Sequence, residues 1–213
     1  MVIGPAGDDG GGPVATYSAT EIANGMGTAT YYLAGKTDTD GVDYTITSVN
    51  VHSHPRVINE SSVTTTTFTF YSGAFNRART MNGTQLFNFH IGVNGAGGTS
   101  GQITIKLYHY DGSTSTQIGS TWTGATLSAS TGTGKQHRSE VAEITATNQK
   151  FKRGDQIKIE VALIVVGSGG YVEVGIDPQN RDSSDATNGL EPSTNKLVST
   201  KFIYTASFRS DYD

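Results

Sequence analysis

From Gln156 to Val166 apolar side chains fall on every second residue: Ile157, Ile159, Val161, Leu163 and Val165 share one face. Period-two alternation of this kind predicts a β-strand with one buried side. The other face begins polar, with Lys158 and Glu160, and ends apolar, with Ala162, Ile164 and Val166. A sandwich buries only one face of each of its sheets. The doubly apolar end therefore predicts a cover: an N-terminal arm, a long loop or a neighbouring subunit. Leu163, Ile164, Val165 and Val166 are the expected interface residues. A glycine turn from Gly167 to Gly170 reverses the chain, and Val172, Val174 and Ile176 return along the core side.

Similar runs recur along the chain, bounded by glycine, asparagine and serine. Thr28 to Leu33 is the first, and Val42, Tyr44 and Ile46 alternate in the second. The phase then slips to Val49 and Val51, which predicts a bulge or break near Thr47 or Ser48, because a one-residue slip exchanges the two faces. Phe68 and Phe70 mark another strand. Phe87, Phe89, Ile91 and Val93 mark the next, and Ile103, Ile105 and Leu107 the one after it. Weaker strands are expected over Gln117 to Trp122 and Glu140 to Thr147. The last puts Val198, Thr200, Phe202, Tyr204, Ala206 and Phe208 on one side. No long window combines helical spacing with caps, and no internal repeat of fixed period occurs. The expected fold is all-β: an antiparallel, jelly-roll-like β-sandwich of about 8–10 strands. Residues 1–27 are glycine-rich and weakly patterned, with Gly10 to Pro13 unsuited to a helix or a central strand. They are expected to form a flexible or extended arm ahead of a single sandwich domain over 28–213.

Composition narrows the function classes. The chain has 213 residues and no cysteine, so neither disulfides nor thiolate chemistry is available. A net charge of −4 gives no electrostatic case for nucleic acid. Charged residues are only 16%, replaced by threonine, serine, asparagine and 27 glycines, so the expected surface is neutral and rich in hydroxyls. No run is long enough for a helical membrane span, and the N-terminal residues lack the pattern of a signal peptide, so synthesis in the cytoplasm is expected. The N-x-S/T sequons at Asn59 and Asn82 are then chance matches in a threonine-rich chain.

The turn F-K-x-G-D followed by I-x-I-x-V, from Phe151 to Val161, resembles the strand entry of many jelly-roll modules. Carbohydrate-binding modules, trimeric receptor-binding heads and virion proteins are among them. G-x-D-P-x-N-R from Gly175 to Arg181, and T-Y-Y-L from Thr30 to Leu33, resemble accessory virion proteins of tailed viruses. The resemblance runs in scattered pieces over residues 28 to 208. It implies a non-enzymatic structural protein located in the virion, a capsid decoration, turret or fibre subunit. By analogy it would be a homo-oligomer, a trimer, in contact with capsid or other virion proteins. The alternative reading is a carbohydrate-binding module or adhesin head that takes a host-surface glycan. An enzyme acting on glycosides is a third reading, and it requires two carboxylates facing each other in a groove.

Several residues carry candidate chemistry. Asp38, Asp40 and Asp43 lie in DTDGVD, where alternate oxygens with a glycine resemble the start of a calcium loop. The closing glutamate is absent, and the same residues make ordinary turns. Asp177, Asn180, Asp182 and Asp185 form a second oxygen-rich loop, open to calcium or to plain solvation. No other cofactor is expected. His52 and His54 sit two apart and would share a strand face suited to Zn²⁺ or Cu²⁺, with His90 and His109 on other strands. Arg153-Gly154-Asp155 spells an adhesion tripeptide but is expected to serve as a strand-entry turn. Tyr108, Tyr110 and Trp122, with Tyr31 and Tyr32, are candidates for a platform on which sugar rings stack. There is no G-x-S-x-G elbow and no phosphate-binding glycine loop followed by a helix.

Overall fold

A computed structural model of the chain describes residues 26–37, 42–61, 64–95, 98–129, 136–167, 170–181 and 199–209. The expected arm lies outside them except for its last two residues, and so do Asp38, Asp40, Asp182 and Asp185. The described residues hold twelve strands and no helix. These are β1 (Met26–Thr37), β2 (Val42–Thr47), β3 (Val57–Glu60), β4 (Thr65–Ser72), β5 (Arg79–Gly95), β6 (Ser100–Tyr110), β7 (Ser115–Thr123), β8 (Leu127–Ser128), β9 (Gln136–Phe151), β10 (Gln156–Val166), β11 (Gly170–Gly175) and β12 (Ile203–Arg209). The all-β, sandwich-like expectation holds. The strands exceed the expected count because β3 and β8 are too short to show a period.

The strands form one hydrogen-bonded band in the order β3-β11-β5-β12-β1-β2-β4-β10-β6-β7, with β9 on the free edge of β5 and β8 on β6. Every pairing is antiparallel except β2 with β4, which run parallel for two residue pairs, Thr45 with Tyr71 and Ile46 with Ser72. The band folds over so that β6, β7 and β10 face β5, β9 and β11. Gly101 shows how closely the two layers meet: a Cβ there would lie 2.1 Å from Val172 Cγ2 and 2.8 Å from Val93 Cγ2. Only a residue without a side chain admits that approach.

The core is the set of inward faces anticipated from the alternation. Phe87, Phe89, Ile91 and Val93 of β5, Ile103, Ile105 and Leu107 of β6, and Ile157 to Leu163 on the odd positions of β10 have no exposed surface. Across β5 and β12, Phe87 stacks on Tyr204 and Phe89 on Phe202, both with centroids 4.7 Å apart. β2 ends at Thr47, where the change of phase predicted a break, and Val49 beyond it is exposed.

The two faces of the apolar end of β10 differ. Leu163 and Val165 are core residues, whereas Ile164 is half-buried and Val166 is 57% exposed. The outer side of this strand is not closed among the described residues. The strand that is buried on both faces is β11, held between β3 and β5, where Tyr171 to Gly175 are all buried. No helix among the described residues is long and apolar enough to cross a membrane.

Candidate functional site

The outward face of β4, β10 and β6 is built from the residues between the core positions. On β4 these are Thr65, Thr67, Thr69 and Tyr71; on β6 they are Gln102, Thr104, Lys106, Tyr108 and Tyr110. Register sets Lys158 of β10 between Tyr71 and Tyr108, and Gln156 beside Tyr110. Three tyrosines are thereby gathered at one end of a threonine-rich face, and Ile164 and Val166 lie at the other. Tyr71 meets Tyr110 edge-on with centroids 5.3 Å apart. Lys158 Nζ sits 4.9 Å from the Tyr108 ring centroid, a cation–π distance.

Glu160 ties this cluster together. Its Oε2 accepts a hydrogen bond from the Tyr108 hydroxyl at 2.9 Å, and its Oε1 lies 2.8 Å from Lys158 Nζ. Lys158 also donates to Ser115 Oγ at 3.2 Å. Burial, then the hydrogen bond to Glu160 and its negative charge, push the Tyr108 phenol up to about 12. Burial raises the Glu160 carboxyl, but bonds from Lys158 and Tyr108 and the charges of Lys158 and Lys106 outweigh it, so the net shift is downward. At neutral pH the Tyr108 phenol donates and the Glu160 carboxylate accepts. The adjoining turn is fixed in the same way. Asp111 Oδ1 accepts from Ser113 N at 2.9 Å and Thr114 N at 2.7 Å, and Tyr110 OH donates to Gly112 O at 2.8 Å. Such a face offers π surfaces, donors and acceptors in fixed positions, which suits contact with a polar, ring-shaped ligand or with a second protein surface.

The structure brings together two of the three anticipated platform residues. Trp122 is elsewhere: it pairs with Ile105 on the inward side of β7 and meets the Phe89 ring edge-on at 5.9 Å. Along β7 Trp122 has the parity of the buried Ile118, opposite to Ser115 and Gln117, which pair with Tyr110 and Tyr108, so the strand's own alternation puts the indole on the core side. Tyr71 was not anticipated, although Thr65, Thr67, Thr69 and Tyr71 alternate out of phase with Phe68 and Phe70 in the sequence itself.

The Gly175–Arg181 segment is a cross-braced corner. Asp177 has no exposed surface, and its Oδ2 accepts from Arg181 N at 2.8 Å and Arg181 Nε at 2.9 Å, its Oδ1 from Arg181 Nη2 at 3.1 Å. Arg181 continues to the Ser53 carbonyl and to His52 Nε2. Asn180, at φ 55°, accepts through Oδ1 from Ser199 Oγ and Thr200 N. These oxygens already face donors within the protein. Asp43 is exposed on β2 opposite Lys36. His52 and His54 lie in the loop between β2 and β3 and share no strand face. Among the described residues no three His, Asp or Glu side chains converge on one point.

Of the adhesion tripeptide, Arg153 and Gly154 are exposed and Asp155 turns inward. Asp155 is buried, 2.6 Å from His109 Nε2, and also accepts from Lys152 N at 2.7 Å. Gln149 Nε2 stands 3.2 Å from His109 Nδ1, and the imidazole packs edge-on against Phe151. This cluster locks the turn before β10 onto the end of β6.

No family model and no curated protein matches the chain. Among solved structures it is similar to a CocE/NonD family hydrolase from Staphylococcus aureus, at 10% identity over 85% of this chain and 37% of that one, with a TM-score of 0.47. It is similar to the enzymatically active domain of tailspike protein 4 of bacteriophage CBA120, at 10% identity over 73% and 20% of the two chains and a TM-score of 0.27. It is also similar to TmCBM61, solved with β-1,4-galactotriose, at 15% identity over 68% and 84% and a TM-score of 0.27. The chain spans little more than a third of the hydrolase's length. Hydrolases stand among the matched structures, which corrects the expectation of a non-enzymatic protein, and that expectation is withdrawn. At such identities and TM-scores the likenesses assign the chain no activity.

Proposed function

We propose that the chain is a structural subunit of a virus particle, one that assembles with itself as a trimer and with a capsid neighbour through the outer face of the β4-β10-β6 layer. The observation that carries this reading is the apolar end of a central strand left open among the described residues, with Ile164 half-buried and Val166 57% exposed on a face that is otherwise polar. An apolar patch rimmed by threonine and glutamine is the usual form of a protein contact surface. Sedimentation equilibrium tests it. The wild type self-associates, and Val166→Glu weakens association by about tenfold or more, the effect of placing a charge in the centre of an interface. A wild type that stays monomeric at every concentration overturns the reading.

A second reading rests on the opposite end of the same face. Tyr71, Tyr108 and Tyr110, braced by Lys158 and Glu160, form a stacking platform for a neutral glycan. A glycan array run with wild type and Tyr71→Ala decides it. Retention of a neutral saccharide by the wild type alone supports the platform; no retention of any glycan removes it.

A further inference from the structure

A cleft of about 400 Å³ opens on another part of the molecule, where β2 and β4 part company. The two strands run parallel only through Ile46 and Ser72. Beyond that point the chain continues from β2 through Thr47 to Ser48, the segment after β4 turns away through Gly73 to Phe75, and Tyr31 and Arg79 also line the space between them. The cleft is a product of the topology, arising at the one parallel pair in an otherwise antiparallel band.

Its chemistry is concentrated in Arg79. The guanidinium packs against two rings, 5.4 Å from the Phe75 centroid and 5.3 Å from that of Phe208. Its Nε is buried and has no hydrogen-bond partner. Among the described residues it makes no ion pair, unlike Arg138 and Arg181, which face Glu140 and Asp177. Tyr31 stacks on Tyr204 with centroids 5.9 Å apart, so its ring is fixed. Thr45 and Thr47 already bond to backbone oxygens, while Ser48 brings a further hydroxyl to the rim.

We propose that this cleft binds an acidic sugar, its carboxylate on the Arg79 fork and its ring hydroxyls on the serine and threonine rim. A planar guanidinium packed against aromatic rings offers a two-pronged carboxylate contact, which a lysine cannot reproduce. The volume suits one monosaccharide and is at the small end of ligand cavities. The hydroxyl lining distinguishes a sugar acid from a bare anion. The site is separate from the tyrosine platform, and neither depends on the other.

Isothermal titration calorimetry with glucuronate, glucose, acetate and inorganic phosphate tests the proposal on the full chain. Glucuronate binds, and glucose and acetate bind about tenfold or more weakly, since each lacks one half of the recognition. Arg79→Lys reduces glucuronate affinity about tenfold or more while keeping the charge. Tyr31→Phe, which leaves the ring stack in place, reduces it severalfold and keeps the proposal testable if the arginine variant does not fold. Acetate or phosphate binding as tightly as glucuronate overturns the sugar assignment. No glucuronate binding, equal binding of glucose, or undiminished binding by folded Arg79→Lys overturns the site.

Discussion

Phe89→Ala is expected to destabilise the protein by about 3–5 kcal/mol, the range for truncating a fully buried aromatic side chain. Phe89 has no exposed surface and joins three strands. It stacks on Phe202 of the β12 entry at 4.7 Å and 9°, and meets Trp122 of β7 edge-on at 5.9 Å. The first contact lies within one layer and the second crosses between layers. Removing the ring therefore leaves a cavity at the place where the band closes on itself. Urea unfolding measures the change as a lower midpoint with an unchanged slope. A loss below about 1 kcal/mol would show that the two layers do not meet there.

Asp177→Ala is expected to cost roughly 2–4 kcal/mol, somewhat less than the ~3–5 of breaking a fully buried pair. The discount reflects Arg181, whose side chain keeps 20% of its surface exposed and retains the Ser53 carbonyl and His52 as partners. Without the carboxylate, Arg181 N and Nε lose their acceptor and Nη2 loses one of its two. The effect should concentrate on the corner that ties the β2–β3 loop to Thr200, visible as faster amide exchange at Asn180 and Thr200. Asp177→Ala with wild-type stability would mean that the brace is solvated and leaves the oxygens open to another cation.

Strands with one wet face were legible from alternation, since each step of two along β5, β6 and β10 returns to the same side. The first part of β5 was not. Gln85 sits in the core with no exposed surface, bonding Tyr204, Ser207 and Gly83, and it staples the irregular register between Thr205 and Phe208. A buried glutamine breaks the apolar rhythm that marks a strand, although its bonds to the neighbouring strand are part of what holds that strand in place. The second half of β9 is hidden for a similar reason, with Asn148 at φ 46° opposite the shift between Met81 and Gly83. Of the candidate sites, Tyr108 and Tyr110 were visible because their strand is regular. Trp122 was misplaced because its residue type, and not its parity with Ile118, was read as deciding its face. Arg79 carried no signal at all, because its meaning depends on Phe75, Phe208 and Tyr31, which only the fold brings to it.

The outer face of β10 carries the central claim, and imaging of native particles that contain the chain tests it most directly. The expected density places a neighbouring subunit over Ile164 and Val166, closing the side of β10 that is open among the described residues. A particle in which that face points to solvent, with contacts made elsewhere on the molecule, would contradict the account.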